Sequence, residues 1–438
     1  MGCLNKGLAA ILIITMTMSS LNLIMLKPVS AANNTWNYIY IGPSADKTAL
    51  ALVQTGDGGY VVLAGSTFSD RACWLLKINA HGAVEWNKTI PLYNNDWLSS
   101  ITPTPDGGFA LAGGKDFSSA NNNVPSLNGK GIDFWLVKAD KYGNIEWNTT
   151  YGGSWHESAD AIANTSDGGY ALAGYTWSFE PNGYWIVKTD YNGTLQWSKS
   201  YESNYGANGV IQTVNGGFVL VGSDSSQVMV INVDENGLEE WNTLLGKSYD
   251  NQERSVIETD DGGYVILGYA FTGLYEPVNS WLCKVNSTGS QEWFQTLDGN
   301  YVSLAKVSSG GFVLTSSSNS SNCLVRTDAL GNIQWIKPLG NSTSSSSLVR
   351  YSWVTSVVET AGGFTVAGST YNYDNSSTVW VVKTDLNGNA PQNFSSSPTV
   401  ASTPAVPELS WLIIVPLLLS LFSVAAVLRH RKTANLNK

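Results

Sequence analysis

The stretch Asp167-Gly168-Gly169-Tyr170 is one of seven copies of a short motif that decides the fold of this 438-residue chain. In every copy, a Gly-Gly pair is followed by Tyr or Phe and then by an apolar run. The copies recur about every 50 residues, a period that is typical of repeat architectures such as propellers. The other six copies are Asp57-Gly58-Gly59-Tyr60, Asp106-Gly107-Gly108-Phe109, Asn215-Gly216-Gly217-Phe218, Asp261-Gly262-Gly263-Tyr264, Ser309-Gly310-Gly311-Phe312 and Ala361-Gly362-Gly363-Phe364.

A second motif, Asp/Asn-x-x-Gly-x-x-x-Trp, follows each Gly-Gly motif. The seventh copy has Gln392 where Trp is expected, and the missing residue is found near the other end of the chain. The segment 35–40 resembles 146–151 but has no Gly-Gly motif before it. We therefore predict that an N-terminal strand completes the last unit and closes a ring. The seven Trp residues predicted to be structural are Trp36, Trp86, Trp147, Trp197, Trp241, Trp293 and Trp335.

Each unit is predicted to contain four short strands, which we name A to D. In the third unit, runs 159–165 and 169–176 are joined by Ser-Asp-Gly-Gly, and runs 184–189 and 194–201 by Asp-Tyr-Asn-Gly; both connections are typical hairpin turns. No segment between residues 36 and 390 shows a sustained helical period, so helices should be scarce there. The sequence thus predicts an all-β, seven-bladed propeller over residues 32–390, with strand A at the axis and the Trp strand D outermost.

These repeats resemble those of the quinoprotein-like (PQQ-like) propeller superfamily, whose blades also end in a Gly and a docking Trp. The turn from Asp to Gly is one residue shorter here. The full repeat is also similar to that of archaeal and bacterial cell-surface propeller proteins, most of them uncharacterised. The resemblance covers about residues 35–390 and implies a propeller exposed at the cell surface. It implies no single activity, because propellers carry many functions.

Both ends of the chain contain predicted targeting segments. Residues 1–31 are predicted to be a secretory signal peptide. Residues 391–408 are rich in Ser, Thr and Pro and are predicted to form a disordered stalk. Residues 409–428 are apolar and long enough to span a bilayer, and the basic tail 429–438 places that end in the cytoplasm. We expect a single-pass protein of the cell membrane with an extracellular propeller.

Two features of the sequence leave alternatives for covalent modification of the exported chain: a sorting signal near the C-terminus and glycosylation sequons. Pro407-Glu408-Leu409 precedes the apolar run and resembles archaeal sorting signals of the Pro-Glu-Phe type. That resemblance implies an alternative in which the tail is removed and replaced by a lipid anchor. Asn-x-Ser/Thr sequons such as Asn148 and Asn192 are glycosylation acceptors in an exported chain, although a chain rich in these residues also forms sequons by chance.

Charge and motifs exclude several classes of function. The net charge of −10 argues against a nucleic-acid partner. The chain lacks His-Glu-x-x-His, Gly-x-Ser-x-Gly and a phosphate-binding glycine loop, so we predict no cofactor and no enzyme. Calcium remains an alternative, because the turns at Asp190 and Asp234 contain alternating oxygen ligands. Asp and Asn also suit such turns for backbone reasons alone.

The predicted binding face consists of the B–C loops and D–A linkers, which we call the loop face. Its aromatic residues have acidic neighbours, among them Asp96, Glu157 and Glu180, and that combination suits a polar ligand. The candidate ligand-binding residues are Trp97, Trp155, His156, Trp177, Tyr205, Tyr275 and Trp353.

Two hypotheses about function follow from the sequence. The first is a non-enzymatic module for binding, adhesion or surface structure, with glycans, peptides or other surface proteins as partners. The second is an extracellular enzyme of the quinoprotein or glycosidase type with a site at the propeller axis. Such a site needs converging carboxylates, and Asp160, Glu253 and Glu258 on predicted A strands are the candidates.

Overall fold

The structure is a computed structural model in which all described secondary structure is β-strand and turn. The predicted signal peptide, membrane span and cytoplasmic tail lie outside the described residues, as does Tyr275. Within the described part, no helix is long and apolar enough to cross a membrane. The described residues are 35–42, 47–65, 72–93, 95–117, 131–246, 251–270, 279–317, 322–340, 349–374, 376–391 and 394–398.

The strands form seven separate sheets, one for each blade of a propeller. Six blades take four consecutive strands each, and the seventh takes one strand from the beginning of the chain and its other strands from the end. The strands are β1 (Trp36–Tyr40), β2 (Thr48–Gln54), β3 (Tyr60–Gly65), β4 (Ala72–Ile78), β5 (Val84–Pro91), β6 (Trp97–Pro103), β7 (Phe109–Asp116), β8 (Ile132–Ala139), β9 (Ile145–Tyr151), β10 (Glu157–Asn164), β11 (Tyr170–Thr176), β12 (Gly183–Thr189), β13 (Leu195–Glu202), β14 (Ala207–Gln212), β15 (Phe218–Asp224), β16 (Gln227–Val233), β17 (Glu239–Leu245), β18 (Asn251–Glu258), β19 (Tyr264–Ala270), β20 (Asn279–Val285), β21 (Gln291–Leu297), β22 (Asn300–Lys306), β23 (Phe312–Ser317), β24 (Asn322–Thr327), β25 (Ile333–Pro338), β26 (Val349–Thr360), β27 (Gly363–Asn372), β28 (Ser377–Lys383) and β29 (Ser395–Ser396).

Each blade is an antiparallel meander with strand A innermost. Successive A strands, from β2 and β6 round to β26, contact one another in a ring, and β26 contacts β2. Strands B and C are buried along nearly their whole length, because each blade packs its two faces against its neighbours. The prediction of an all-β, seven-bladed propeller with four-stranded blades is confirmed.

The ring is closed as the sequence predicts. Strand β1 pairs antiparallel with β28, from Trp36 opposite Lys383 to Tyr40 opposite Val379. A short additional strand, β29, pairs parallel with β1 and makes this sheet five-stranded. Beside it, Phe394 packs edge-on against Trp380 with ring centroids 5.6 Å apart. The chain therefore stays on blade 7 for a few residues beyond the predicted boundary at 390.

The two sequence motifs meet across every blade boundary. Trp147, on strand D of blade 2, lies over Gly193 in the C–D turn of blade 3, where an added Cβ would lie 2.7 Å from Cζ3 of the indole. The same indole is 6.3 Å from the ring of Tyr170, the aromatic residue after the Gly-Gly pair of blade 3. The seven contacts are Trp36 with Gly82 and Tyr60, Trp86 with Gly143 and Phe109, Trp147 with Gly193 and Tyr170, Trp197 with Gly237 and Phe218, Trp241 with Gly289 and Tyr264, Trp293 with Gly331 and Phe312, and Trp335 with Gly388 and Phe364.

A buried cation joins strand C to the Gly-Gly turn within a blade. In blade 3, Lys188 Nζ lies 2.7 Å from Asp167 Oδ2 and 2.7 Å from Gln196 Oε1. Although burial opposes the shift, hydrogen bonds from Lys188, Thr165 and the Gly169 amide lower the pKa of Asp167 to about 2. The four pairs of this kind are Lys77–Asp57, Lys138–Asp106, Lys188–Asp167 and Lys284–Asp261.

Where the Gly-Gly turn lacks Asp, either the polar residue of strand C or its partner changes. Blade 6 has Ser309 in the turn, and Arg326 on strand C donates to the Phe312 carbonyl at 3.0 Å. Blade 4 has Asn215 in the turn, and the matching residue on strand C is the neutral Asn232. Blade 7 has Ala361, and Lys383 donates instead to the hydroxyl of Tyr60 in blade 1, 2.9 Å away. Asn232 donates to Glu240 at 2.5 Å, so the buried polar group has a changed partner in these blades as well.

The contact between Trp147 and Gly193 predicts that alanine substitution at two glycines of blade 3 lowers the free energy of unfolding by different amounts. Gly193 and Gly168 have nearly equal positive φ, +79° and +85°, but nothing lies within 4 Å of a Cβ added at Gly168. Gly168→Ala should cost about 1–2 kcal/mol of unfolding free energy for backbone strain alone. Gly193→Ala should cost about 1–3 kcal/mol more, because its methyl group must displace Trp147.

Urea unfolding of the two variants, followed by tryptophan fluorescence, measures this difference. Equal losses at Gly193 and Gly168 would show that the indole does not constrain the turn.

Candidate functional site

The loop face lies opposite the Gly-Gly and Asp-x-x-Gly turns, because strands B and D of a meander end on the same side. At blade 3 it contains the linker 152–156, which enters from blade 2, and the B–C loop 177–182. The two segments are bonded together: Trp177 N donates to His156 O at 3.1 Å, and Trp155 N donates to Ser178 Oγ at 2.8 Å.

Glu157 holds these two segments in place from below. Its side chain is fully buried at the start of β10. Oε1 accepts hydrogen bonds from Ser178 N and Thr176 Oγ1, both at 3.1 Å, and Oε2 accepts one from Gly153 N at 3.0 Å. One carboxylate therefore satisfies backbone amides from both segments, as a buried charge requires.

Two large aromatic side chains stand exposed on this clamped pair of segments. Trp155 is 65% exposed and Trp177 is 55% exposed. Trp177 lies 6.1 Å from the ring of His156 and 6.0 Å from that of Tyr175. Tyr205, in the next D–A linker, is 53% exposed. Of the predicted ligand-binding residues, the structure brings Trp155, His156 and Trp177 together and leaves Tyr205 on the adjacent linker.

The two other described members of the predicted set lie in strands. Trp97 is the first residue of β6, is half-buried, and its ring lies over the backbone of Gly114. Trp353 lies within β26, where it is also half-buried and its carbonyl contacts Gly368. Trp97 begins its A strand and Trp353 is the fifth residue of its own, so the sequence pattern did not separate loop from strand at either position.

Two of the acidic neighbours have a structural role instead of a ligand-facing one. Asp96 is buried and occupies the position in blade 2 that Glu157 occupies in blade 3. It accepts hydrogen bonds from Asp116 N at 2.9 Å and Tyr93 N at 3.0 Å, and it pairs with Lys115 at 2.6 Å. The expectation that Asp96 and Glu157 face a ligand is therefore wrong, because burial forces them to bond the loop backbone.

A cleft of about 640 Å³ lies between blades 3 and 4. Its floor includes the buried side chains of Tyr201, Met229 and Ile231. Sequence reasoning missed this cleft, since its acidic residues lie on separate strands and loops and share no motif. Its carboxylates are those of Glu180, Glu202, Asp224 and Glu239.

The described A-strand carboxylates do not converge on one site. Asp160 lies at the bulge of β10, and its carboxylate accepts a hydrogen bond from Ser158 Oγ at 3.2 Å. Glu258 is the last residue of β18, and its carboxylate accepts one from Val214 N at 3.3 Å. The two positions are displaced along the strand by four residues, or about 13 Å. The side chain of Glu253 lies outside the described ones.

The turns considered for calcium use their carboxylates internally. Asp190 Oδ1 accepts hydrogen bonds from the backbone N–H groups of Asn192 and Thr194, both at 2.8 Å. Asp234 makes the equivalent bonds to Asn236 and Leu238. Among the described residues, no group of three His, Cys, Asp or Glu side chains is arranged to hold a metal ion. These bonds account for Asp in this motif.

The ionised form of one carboxyl group near the loop face is destabilised by its surroundings. Asp133, on β8 of blade 2, lies next to Glu157, and the Gly152 backbone packs against both carboxylates. Burial and the charge of Glu157 raise the pKa of Asp133 to about 6. Lys115, opposite Asp133 in the sheet, is bonded to Asp96 instead. The boundary between blades 2 and 3 therefore contains a carboxyl group that ionises near pH 6.

Comparison with known proteins supports the fold and gives no activity. No protein-family model and no curated protein matches the chain. Similar solved structures include a catalytically inactive virginiamycin B lyase from Staphylococcus aureus with quinupristin, at TM-score 0.50 and 9% identity over 80% of this chain and 99% of that one. A protein of unknown function from Dyadobacter fermentans has TM-score 0.45 and 11% identity over 80% and 98%. Identities this low support the fold alone.

Asp133 predicts an unusual pH dependence of stability. Its folded pKa lies above the unfolded value of 3.8, so the folded state binds more protons between these values and stability falls as the pH rises from about 4 to 6. Asp133→Asn should remove this penalty, raising stability at pH 7.5 by about 1–2 kcal/mol after allowance for solvent screening, and should change little at pH 3.5.

Asp167→Asn provides a control of opposite sign, because the folded pKa of Asp167 is lowered to about 2. The loss of unfolding free energy in the Asp167→Asn variant should be greatest at neutral pH and should become smaller toward pH 2. Chemical denaturation of both variants across this range measures the two trends, and a loss at pH 7.5 for Asp133→Asn would contradict the assignment.

Proposed function

We propose that this chain is an extracellular, membrane-anchored propeller that binds a partner through the loop face of blade 3 and catalyses no reaction. The observation that carries the proposal is the pair of exposed indoles, Trp155 and Trp177, on segments fixed by the buried Glu157. Exposed aromatic side chains on a fixed backbone are typical of binding surfaces. Less conformational entropy is lost there when a ligand binds.

A comparison with the Trp residues of the repeat motif supports a binding role for the exposed Trp155 and Trp177. The strand-D Trp residues described above are half-buried or, for Trp36, only 5% exposed. Trp155 and Trp177 belong to neither repeat motif, and neither indole lies against the glycine of a C–D turn. Their side chains therefore expose apolar area that stability of the propeller does not require.

The membrane anchor rests on the sequence. The apolar run 409–428 with its basic tail supports a single-pass anchor, and Pro407-Glu408-Leu409 supports sorting to a lipid anchor as the alternative. The Trp-to-Gly docking across blades supports assignment to the PQQ-like superfamily, and the surface location agrees with the resemblance to surface propeller proteins.

An enzymatic function is less well supported. A glycosidase needs two free carboxyl groups at a defined separation. Asp133 and Glu157 lie close together, but Glu157 has both oxygens occupied by the loops. Asp160 and Glu258 are displaced along the strand direction.

Ligand arrays probed with the full-length chain test this proposal. Glycan and peptide arrays should give at least one ligand whose binding falls tenfold or more in Trp155→Ala and Trp177→Ala, because each removes a large apolar contact. Tyr191→Ala is a matched control, since Tyr191 is 64% exposed in the same blade but lies in a C–D turn on the opposite face.

The Tyr191→Ala variant should bind as the wild type does. Ligands that bind without dependence on either Trp, or a turned-over substrate whose conversion requires Asp133, would contradict a non-enzymatic loop-face binder.

A further inference from the structure

The last strand of the propeller determines on which side the chain leaves blade 7. Strand β1 runs from Trp36, which contacts Gly82 in a C–D turn, to Tyr40 at the loop face. Strand β29 pairs parallel with β1 and therefore runs in the same direction. The last described residues, 397–398, thus lie at the loop-face end of the outer edge of blade 7.

Hydrogen bonds on both sides of β29 hold this exit point against the blade. Asn37, whose side chain is buried, donates from Nδ2 to Pro391 O at 3.1 Å. Ser397 N donates to Ile39 O at 3.2 Å. Together with the ring contact of Phe394 described above, these bonds make the segment part of the propeller, so the predicted stalk begins only after it.

The chain between this exit point and the predicted membrane span is short. Ten residues, 399–408, separate them, and a fully extended segment of that length reaches about 33–36 Å. A blade is about 23 Å high, since a strand such as β12 has seven residues with a rise of about 3.3 Å each. To bring the turn face to the bilayer, the segment would have to run back over that height, which leaves about 10 Å. The tether therefore favours a loop face that is turned toward the membrane.

Exposed aromatic side chains are concentrated on this same face. Within the described part of the chain nine aromatic residues are exposed, and only two of them, Tyr142 and Tyr191, lie in C–D turns on the opposite face. Trp and Tyr are enriched where proteins contact the headgroup layer of a bilayer. The seven exposed aromatic residues of the loop face are Tyr93, Trp155, Trp177, Phe179, Tyr205, Tyr351 and Tyr373.

The exit point and the pair Trp155 and Trp177 lie far apart on the loop face. Blade 3 is three blades from blade 7, which is the largest separation in a ring of seven. Glu157 fixes the segments that carry the two indoles. A tether at blade 7 and a contact at blade 3 together restrain the tilt of the propeller, which neither does alone.

We propose that the loop face rests on the bilayer in which the chain is anchored, with Trp155 and Trp177 at the level of zwitterionic lipid headgroups. The orientation rests on the proposed membrane anchor, and it specifies the lipid surface as the partner of the proposed loop-face binding. Zwitterionic headgroups are favoured over anionic ones because the chain has a net charge of −10.

Energy transfer to the bilayer tests the orientation. The full-length chain is reconstituted into phosphatidylcholine vesicles that contain a rhodamine-labelled lipid. A fluorescein donor is attached through Ser154→Cys in the linker 152–156 or through Ser166→Cys in the Gly-Gly turn of the same blade, and both serines are exposed. We expect the donor at Ser154→Cys to lie at least about 15 Å closer to the bilayer, because a blade separates the two faces.

The labelling requires that the native cysteines do not react. Cys3 and Cys323 are replaced by Ser in both labelled chains, and Cys73 and Cys283 are buried.

Two double variants test the contact itself. W155A/W177A should at least halve the difference in distance between the two donors, because only the tether then restrains the propeller. Y142A/Y191A removes the two exposed aromatic residues of the turn face and should leave the difference unchanged.

Donors at equal distances from the bilayer would overturn the orientation. A closer donor at Ser166→Cys would also overturn it and would assign the membrane contact to exposed side chains of the C–D turns such as Leu238 and Leu330. An unchanged difference in W155A/W177A would overturn the contact through the two indoles.

The outcomes separate the orientation from the proposals on which it rests. A chain that does not float with the vesicles would overturn the orientation together with the anchor. If the donors are equidistant while an array ligand still depends on Trp155 and Trp177, the orientation fails and the proposed function stands. If no array ligand depends on either Trp and W155A/W177A leaves the energy transfer unchanged, the proposed function fails as well.

Discussion

The indole of each strand-D Trp lies against the C–D turn glycine of the next blade, and the rest of the propeller depends on this contact. A single blade would expose both apolar faces of its sheet to water. It therefore cannot form a stable unit without its neighbours. The docking contact joins the outer strand of one blade to the hairpins of the next, so it fixes the angle between neighbours. Trp36 makes the same contact with Gly82 from the first strand of the chain, which extends the series around the full ring.

This constraint also determines where a ligand-binding surface can form. The turns on one face are occupied by docked indoles and by ion pairs such as Lys188–Asp167, so their sequence is restricted in every blade. Within the described residues, no strand-D indole docks on the loops of the opposite face, and these loops vary in length and composition. Blade 3 uses that freedom to place Trp155 and Trp177 in solvent, and the boundary with blade 4 opens into the acidic cleft.

Motifs that repeat made the fold predictable, and residues that occur once did not. The seven Gly-Gly pairs and the missing seventh Trp were sufficient to predict the blades and the closing strand β1. A motif that recurs seven times at a regular spacing identifies the repeat unit, and the incomplete copy shows which strand is missing. The role of Glu157 could not be predicted, since its amide partners lie on two segments that only folding brings together. The cleft was missed for the same reason: Glu202 and Glu239 are separated by 37 positions and line the cleft from two different blades.

The most direct test of the central claim is a double-mutant cycle between Trp147 and Gly193, measured as unfolding free energy. If the indole constrains the turn, Gly193→Ala should be much less destabilising in a Trp147→Ala background than in the wild type, because its methyl group then enters vacated space. We predict a coupling energy of at least about 1 kcal/mol. Additive effects, within about 0.5 kcal/mol, would contradict the claim that this contact sets the blade boundary.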